Sequence, residues 1–193
     1  MEIIQYPHPT LRHKSKPITR VDRQLKEIVA EMFELMYKAN GIGLAANQVD
    51  LPLQLFVINT SGDPETGEEL VFINPVISNA KGAETAEEGC LSIPGVNGYV
   101  NRPAKVHVVA YDLTGNQIEL DASGLLARAI QHELDHLNGV LFIDRMADSD
   151  VKQIQGELDE FTFDFESRQS SSSIPSHDSI RKRLSDIEEK YCS

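Results

Sequence analysis

The sequence predicts an α+β fold, with mainly antiparallel sheets packed around a buried central helix. Three observations predict it. Strand-like and helix-like segments do not alternate, which argues against a doubly wound parallel sheet. The run Asp112-Leu113-Thr114-Gly115-Asn116-Gln117 makes a tight turn between two strand candidates, as antiparallel hairpins require. Leu125, Leu126, Ala129, Ile130 and Leu137 cover much of the circumference of one helix, so that helix has to be buried. A chain of 193 residues is long enough to close one domain around a sizeable core.

The elements follow in order. Residues 1–20 are loop-like, broken by Pro7, Pro9 and Pro17. Asp22 caps a helix running to about Asn40, with Leu25, Ile28, Val29, Met32 and Met36 as its apolar stripe and Gly41 just past its end. Residues 53–59 and 69–74 read as strands joined by a polar, glycine-containing turn. Residues 76–83 and 105–111 are further strands, and the 112–117 turn leads into one at 118–120. Ser123 suits the N-cap of a helix from about Gly124 to Asn138, and Gly139 suits its end. Beyond about 150 the composition changes. Ser170 to Ser173 form a linker-like run before Pro175, and Ile180, Leu184, Ile187 and Tyr191 are then spaced for an amphipathic helix. The expected division is a catalytic domain over 1–150 and an extension over 151–193.

A net charge of -12 disfavours DNA, RNA or an anionic membrane surface as a nonspecific partner. No apolar run approaches the roughly 18–20 residues that span a bilayer. The first residues show no basic-then-apolar secretory pattern. Cys90 and Cys192 are the only cysteines, too few and too far apart for a disulfide framework. The expected compartment is reducing and cytoplasmic.

The chemistry concentrates in QHELDHLNG, residues 131–139. His132 and His136, four apart, share a helix face and can hold one metal ion. Glu133 on the same buried helix is costly unless it has a partner or a proton to handle. The His-Glu-x-x-His run therefore points to a metal hydrolase with Glu133 as its proton shuttle. The third ligand has three routes. A histidine six residues after His136 is excluded, because Phe142 stands there. A downstream acid remains open with Glu157 or Glu160. A thiolate remains open with Cys90, in the tightly shaped run EEGCLSIPG. The Gly41-x-Gly43 pair lacks the further glycine of a nucleotide-binding loop.

GIGLAANQ (41–48), EGCLS (88–92) and QHELDH (131–136), in this order, resemble the three signature motifs of peptide deformylases, and YPHPTLR (6–12) is similar to that family's N-terminal run. The likeness covers residues 1 to about 146. It implies Cys90, His132 and His136 as metal ligands, with water in the fourth position. It implies Fe²⁺ as the metal in the cell, with Zn²⁺, Ni²⁺ or Co²⁺ as substitutes. It implies removal of the formyl group from formyl-methionine on nascent polypeptides, with formate as product. The Gln48 side chain and the Leu91 backbone N–H would stabilise the formyl oxygen as it gains charge. Ile42 and Gly43 would pair with the peptide backbone. Ile42, Leu125 and Ala129 would line the methionine pocket, and Arg102 would lie near the peptide path. Arg128 either borders that pocket or pairs with a buried acid. Relatives that dock transiently on the ribosome carry a basic C-terminal helix. Residues 147–193 here hold eleven Asp/Glu against six Lys/Arg, a net of -5, with Arg181-Lys182-Arg183 as the one basic cluster. The C-terminal stripe must be covered either by the body of the chain or by a second subunit in a homodimer.

Overall fold

The computed structural model describes residues 1–193. Five strands form one antiparallel sheet in the order β1-β2-β3-β6-β7: Gly43–Ala45, Leu55–Ile58, Leu70–Lys81, Lys105–Tyr111 and Gln117–Ser123. A separate two-stranded sheet pairs β4 (Glu84–Cys90) with β5 (Ile93–Arg102). Helix α1 spans Arg23–Lys38 and α2 spans Gly124–Leu137, followed by α3 (Asp148–Val151), α4 (Gln155–Ser170) and α5 (His177–Cys192). The α+β, largely antiparallel architecture expected from the sequence is the one observed.

Three apolar clusters hold these layers together. Between the sheet and α2 lie Phe56, Phe72, Val106, Val108, Ala129 and Ile130. Between the sheet and α1 lie Leu25, Met32, Met36, Leu44 and Leu55. Leu11, Ile93, Val100, Leu141 and Phe142 tie the N-terminal segment and the β4–β5 hairpin to the segment that follows α2. The α2 helix thus lies between the large sheet and the hairpin, on apolar contact that is worth about 25 cal/mol per Å² buried. Its end is set by backbone geometry. Gly139 has φ 73°, and a Cβ there would meet the Arg12 carbonyl oxygen at 2.5 Å, so no other residue fits this helix stop.

The structure revises several expected elements. Residues 69–74 and 76–83 are one strand, β3. Its ladder breaks register between Ile73 and Val76, which accommodates Pro75. Asn74, at φ 52°, bonds the N–H and carbonyl of Ile18 at 2.8 Å each. The β4–β5 hairpin went unread because the inward positions of β4 are Ala86, Glu88 and Cys90. The alternation is present, but on residues with chemistry instead of apolar bulk. The Ser123 side chain makes no capping bond to α2.

The serine run joins two helices of the extension. Ser170 ends α4, a helix not expected from the sequence, and Ser171 to Ser173 close a hydrogen-bonded turn onto its last carbonyls. The α5 helix then packs on its own chain. Ile180, Leu184 and Tyr191 are buried, and Tyr191 joins the cluster under α1. Glu188 receives His13 Nε2 at 2.7 Å and Lys16 Nζ at 2.6 Å. The stripe that suggested a second subunit is covered within the chain. Ile180 is fully buried, so Ile180→Ala should cost about 2–5 kcal/mol. Thermal unfolding should show this as a midpoint lower by at least ~4 °C. An unchanged midpoint would mean that α5 does not sit on the body.

Candidate metal centre

One turn of α2 sets the first two groups. His132 and His136 face the same side, with ring centroids 5.0 Å apart. The last residue of β4 supplies the third. Cys90 Sγ lies 3.2 Å from His136 Nε2, and the ligating atoms of Cys90, His132 and His136 all lie within 4.8 Å of one another. A tetrahedral ion bonded to sulfur and imidazole nitrogen would hold such atoms roughly 3.5 Å apart. Glu157 and Glu160, the alternative third ligands, are exposed on α4 and take no part in this group. The downstream-acid route is therefore closed: α4 turns those side chains to solvent.

The residues around the triangle orient it. His132 Nδ1 meets Glu88 Oε2 at 3.0 Å, which leaves Nε2 facing Cys90 and His136. Gln48 lies on a 3-10 turn, Ala46–Val49. Its Oε1 accepts the Ala45 N–H at 2.8 Å, and its Nε2 donates to Ser92 Oγ at 3.2 Å and Cys90 Sγ at 3.4 Å. Its neighbour Asn47 donates to the His136 carbonyl. One short turn thus touches both the hairpin and the helix that carry Cys90, His132 and His136.

Burial and pairing shift the groups of the site in different directions. Burial would raise Glu88, but hydrogen bonds from His132 and Arg102 more than reverse it and hold its carboxyl well below the usual range. Burial would lower His132, yet bonds to Cys90 and Glu88 hold it at about 10. His136 is driven well below the ordinary histidine value by burial, then by repulsion from His132. A metal ion would bind His132 by displacing the proton that these partners favour there. The donor set, soft sulfur with borderline nitrogen, suits Zn²⁺ or Fe²⁺.

Glu133 is 4% exposed, and its Oε2 has no hydrogen-bond partner. Burial pushes its carboxyl up to about 7, against the pull of His132 and Arg102. Gly43 explains how the carboxylate fits. A Cβ at residue 43 would lie 2.5 Å from Glu133 Oε1.

A cavity of about 570 Å³ opens beside the triangle, and its walls include Ile42, Gly43, Leu91, Leu125, Arg128 and Ala129. Gln48, Cys90, His132 and Glu133 also line it. The candidates Ile42, Gly43, Leu91, Leu125 and Ala129 are thus brought together. Arg102 is not. It is 4% exposed and lies behind the triangle, bonding Glu88 at 2.7 and 2.9 Å and Asp135 at 2.7 Å. Its expected place near a peptide path is corrected: two buried carboxylates hold its guanidinium away from the cavity. Arg128 does both things open to it. It lines the cavity and donates to Glu88 Oε1 at 2.6 Å, to the Val100 carbonyl at 3.0 Å and to the Glu84 carbonyl at 2.7 Å.

Known proteins carry the same arrangement of sequence. The profile of a family described as polypeptide deformylase matches residues 1–152. The chain belongs to the polypeptide deformylase family. It is 47% identical to a peptide deformylase of Rhodopirellula baltica over 191 residues, covering 99% of this chain and 95% of that protein. It is 44% identical to the chloroplastic peptide deformylase 1B of Solanum lycopersicum over 95% of this chain, and spans 65% of that protein's length. The crystal structure of Arabidopsis thaliana peptide deformylase 1B in complex with an inhibitor superposes with a TM-score of 0.85 at 44% identity, over 92% of this chain and 97% of that one.

Glu88 is the functional residue that sequence reasoning missed. It precedes Gly89 and Cys90 and read as part of a shaped loop. Nothing local reveals a carboxylate that must receive His132, Arg102 and Arg128 at once. Removing its charge leaves two buried guanidinium groups underpaired and frees the His132 ring. Glu88→Gln should therefore weaken metal affinity by about 10- to 100-fold, as loss of an outer-shell partner does. Competition against a chelator measures this directly, and wild-type affinity would refute the orienting role.

Proposed function

We propose that this chain removes the formyl group from N-formyl-methionine at the start of new polypeptides and releases formate, with Cys90, His132 and His136 as ligands of one divalent metal. The observation that carries the reading is the Cys-His-His triangle with Glu133 beside it, its Oε2 without a partner, at the wall of a cavity large enough for a side chain and a peptide. Family membership supports the activity.

The bound metal would supply a Lewis acid that brings the pKa of water toward neutrality and draws charge off the formyl oxygen. Glu133 takes the proton that water must lose and delivers it to the departing amine. Its raised pKa suits a group that holds a proton and then gives it up near neutral pH. Gln48, locked by Ala45 and Ser92, and the Leu91 N–H donate to the oxygen that gains charge. Gly43 sits in β1, the terminal strand of the sheet, which has a strand neighbour on one side only. An extended peptide can add there through Ile42 and Gly43 while its methionine side chain enters between Ile42, Leu125 and Ala129. Arg128 closes that space from the hairpin side.

Fe²⁺ is the metal we propose in the cell, with Zn²⁺, Ni²⁺ or Co²⁺ able to replace it. We place the reaction in the cytoplasm, on formylated nascent chains. No helix is long and apolar enough to cross a membrane.

Formate release from a formyl-methionyl tripeptide by anaerobically purified protein, with metal analysis of the same sample, tests the reading. One equivalent of metal and steady turnover are expected; a fully metallated but inactive protein would sink it. Cys90→Ala should lose most of its metal, and retention at full occupancy would remove Cys90 from the ligand set. Glu133→Gln should keep the metal and lose a factor of at least ~10² in kcat. Because Glu133 must be ionised to accept a proton, kcat/KM should rise with pH along an acid limb. A dication nearby lowers the carboxyl, so the limb should lie at or below about 7. A pH profile without an acid limb would count against Glu133 as the base.

A further inference from the structure

The ion pair between Arg183 and Asp50 is not used by this mechanism, yet it joins α5 to the turn that carries Gln48. Asp50 ends that turn in the left-handed region, at φ 65°. Its N–H bonds the Asn47 carbonyl at 3.2 Å, its Oδ1 accepts Thr10 Oγ1 at 2.5 Å, and its Oδ2 accepts the Arg183 guanidinium. Aspartate enters that conformation at small cost, and its side chain is then free to be fixed by its neighbours. Here the holding groups come from the N-terminal segment and from the C-terminal helix.

We propose that Arg183 is a positioning residue: acting through Asp50, it sets the placement of Gln48 against Cys90 and Ser92. Ile180, Leu184 and Tyr191 pack α5 through apolar contact with no fixed direction, and its Glu188 bonds His13 and Lys16 in the N-terminal segment, away from the Gln48 turn. A charge-assisted bond does have direction, and this one ends two residues from Gln48. The turn has little slack. Asn47 is tied to the His136 carbonyl, the Gln48 carbonyl accepts the Ile4 N–H at 2.8 Å, and Gln48 Nε2 reaches Cys90 Sγ at 3.4 Å. A small displacement of Asp50 is therefore passed to the Gln48 amide. Arg183 is half-exposed, so the pair should contribute little to stability. Its effect should appear in geometry, not in melting. The proposal rests on the reading of Gln48 as a donor to the reacting oxygen, and it makes the segment beyond residue 150 part of the catalytic apparatus.

The test uses the full chain carrying Arg183→Ala, Arg183→Lys or Asp50→Asn, loaded with the same metal. Arg183→Ala should lower kcat about five- to tenfold, as sub-ångström misplacement of an active-site group does. KM should stay within about twofold and metal content should not change. Arg183→Lys should recover most of the loss. In a Gln48→Ala background, Arg183→Ala should cost less than about twofold more, because the group it positions is gone. The Gln48 side-chain amide resonance should shift in Arg183→Ala and Asp50→Asn and return toward wild type in Arg183→Lys. Should Arg183→Ala fail to fold, Asp50→Asn carries the same readouts, since Asn tolerates the left-handed turn. An unmoved Gln48 resonance with unchanged kcat overturns the proposal. So does a full multiplicative loss in the Gln48→Ala background. A wild-type protein that releases no formate overturns the proposed function instead, and the Gln48 resonance still decides the brace.

Discussion

The buried carboxylate of Glu88 is the interaction on which the rest of the site depends. It receives Arg102 through two nitrogens, Arg128 through one, and the Nδ1 side of His132. These partners lie on β5 and α2, so a single side chain of β4 joins the hairpin to the helix. Burying charge costs several kcal/mol per ion unless geometry and hydrogen bonding offset it. Here every carboxylate oxygen is used, and Asp135 takes the remaining face of Arg102. The cluster does not serve chiefly to stabilise the fold. It fixes which way His132 points and how far Cys90 stands from the helix.

Two glycines beside the site, Gly139 and Gly43, serve the same end. Gly139 lets α2 stop against Arg12, so the helix ends one residue after His136. Gly43 lets the terminal strand of the sheet lie close against Glu133. A side chain at the first would displace the helix, and at the second it would displace the carboxylate. The same carboxylate is raised by burial while Glu88, close by, is lowered by its partners. Two acids of one pocket are driven apart in pKa by solvation and pairing alone. One is thereby suited to hold structure and the other to move a proton.

Much of this was legible in the chain. The i, i+4 histidines and the glutamate between them follow from helical periodicity, which is local, so they could be placed on one face before any coordinates. The α1 stripe and the Asp22 cap were read the same way, and Asp22 does accept the Leu25 N–H at 2.9 Å. The β4–β5 hairpin was not legible: Ile93, Val96 and Val100 of β5 face inward, but the inward positions of β4 hold Ala86, Glu88 and Cys90, so no apolar alternation marks its first strand. The α4 helix hid for a related reason: Leu158 and Phe165 are buried, but Phe163 between them is 76% exposed and blurs the stripe.

The sequence by itself determined the chemistry: which residues can bind metal, which can carry a proton, and that the helix bearing them must be buried. Tertiary structure alone decided what surrounds them. Arg102 read as a residue of the peptide path and is a buried partner of two acids. The serine run read as a flexible break and is the end of one helix and the turn before another. These outcomes turn on pairings across large chain separations, Glu88 with Arg128 and Asp50 with Arg183 among them. Backbone periodicity places neighbours within a helix or strand. A pairing between distant residues exists only once packing has brought the two charges together and excluded the water that would otherwise screen them.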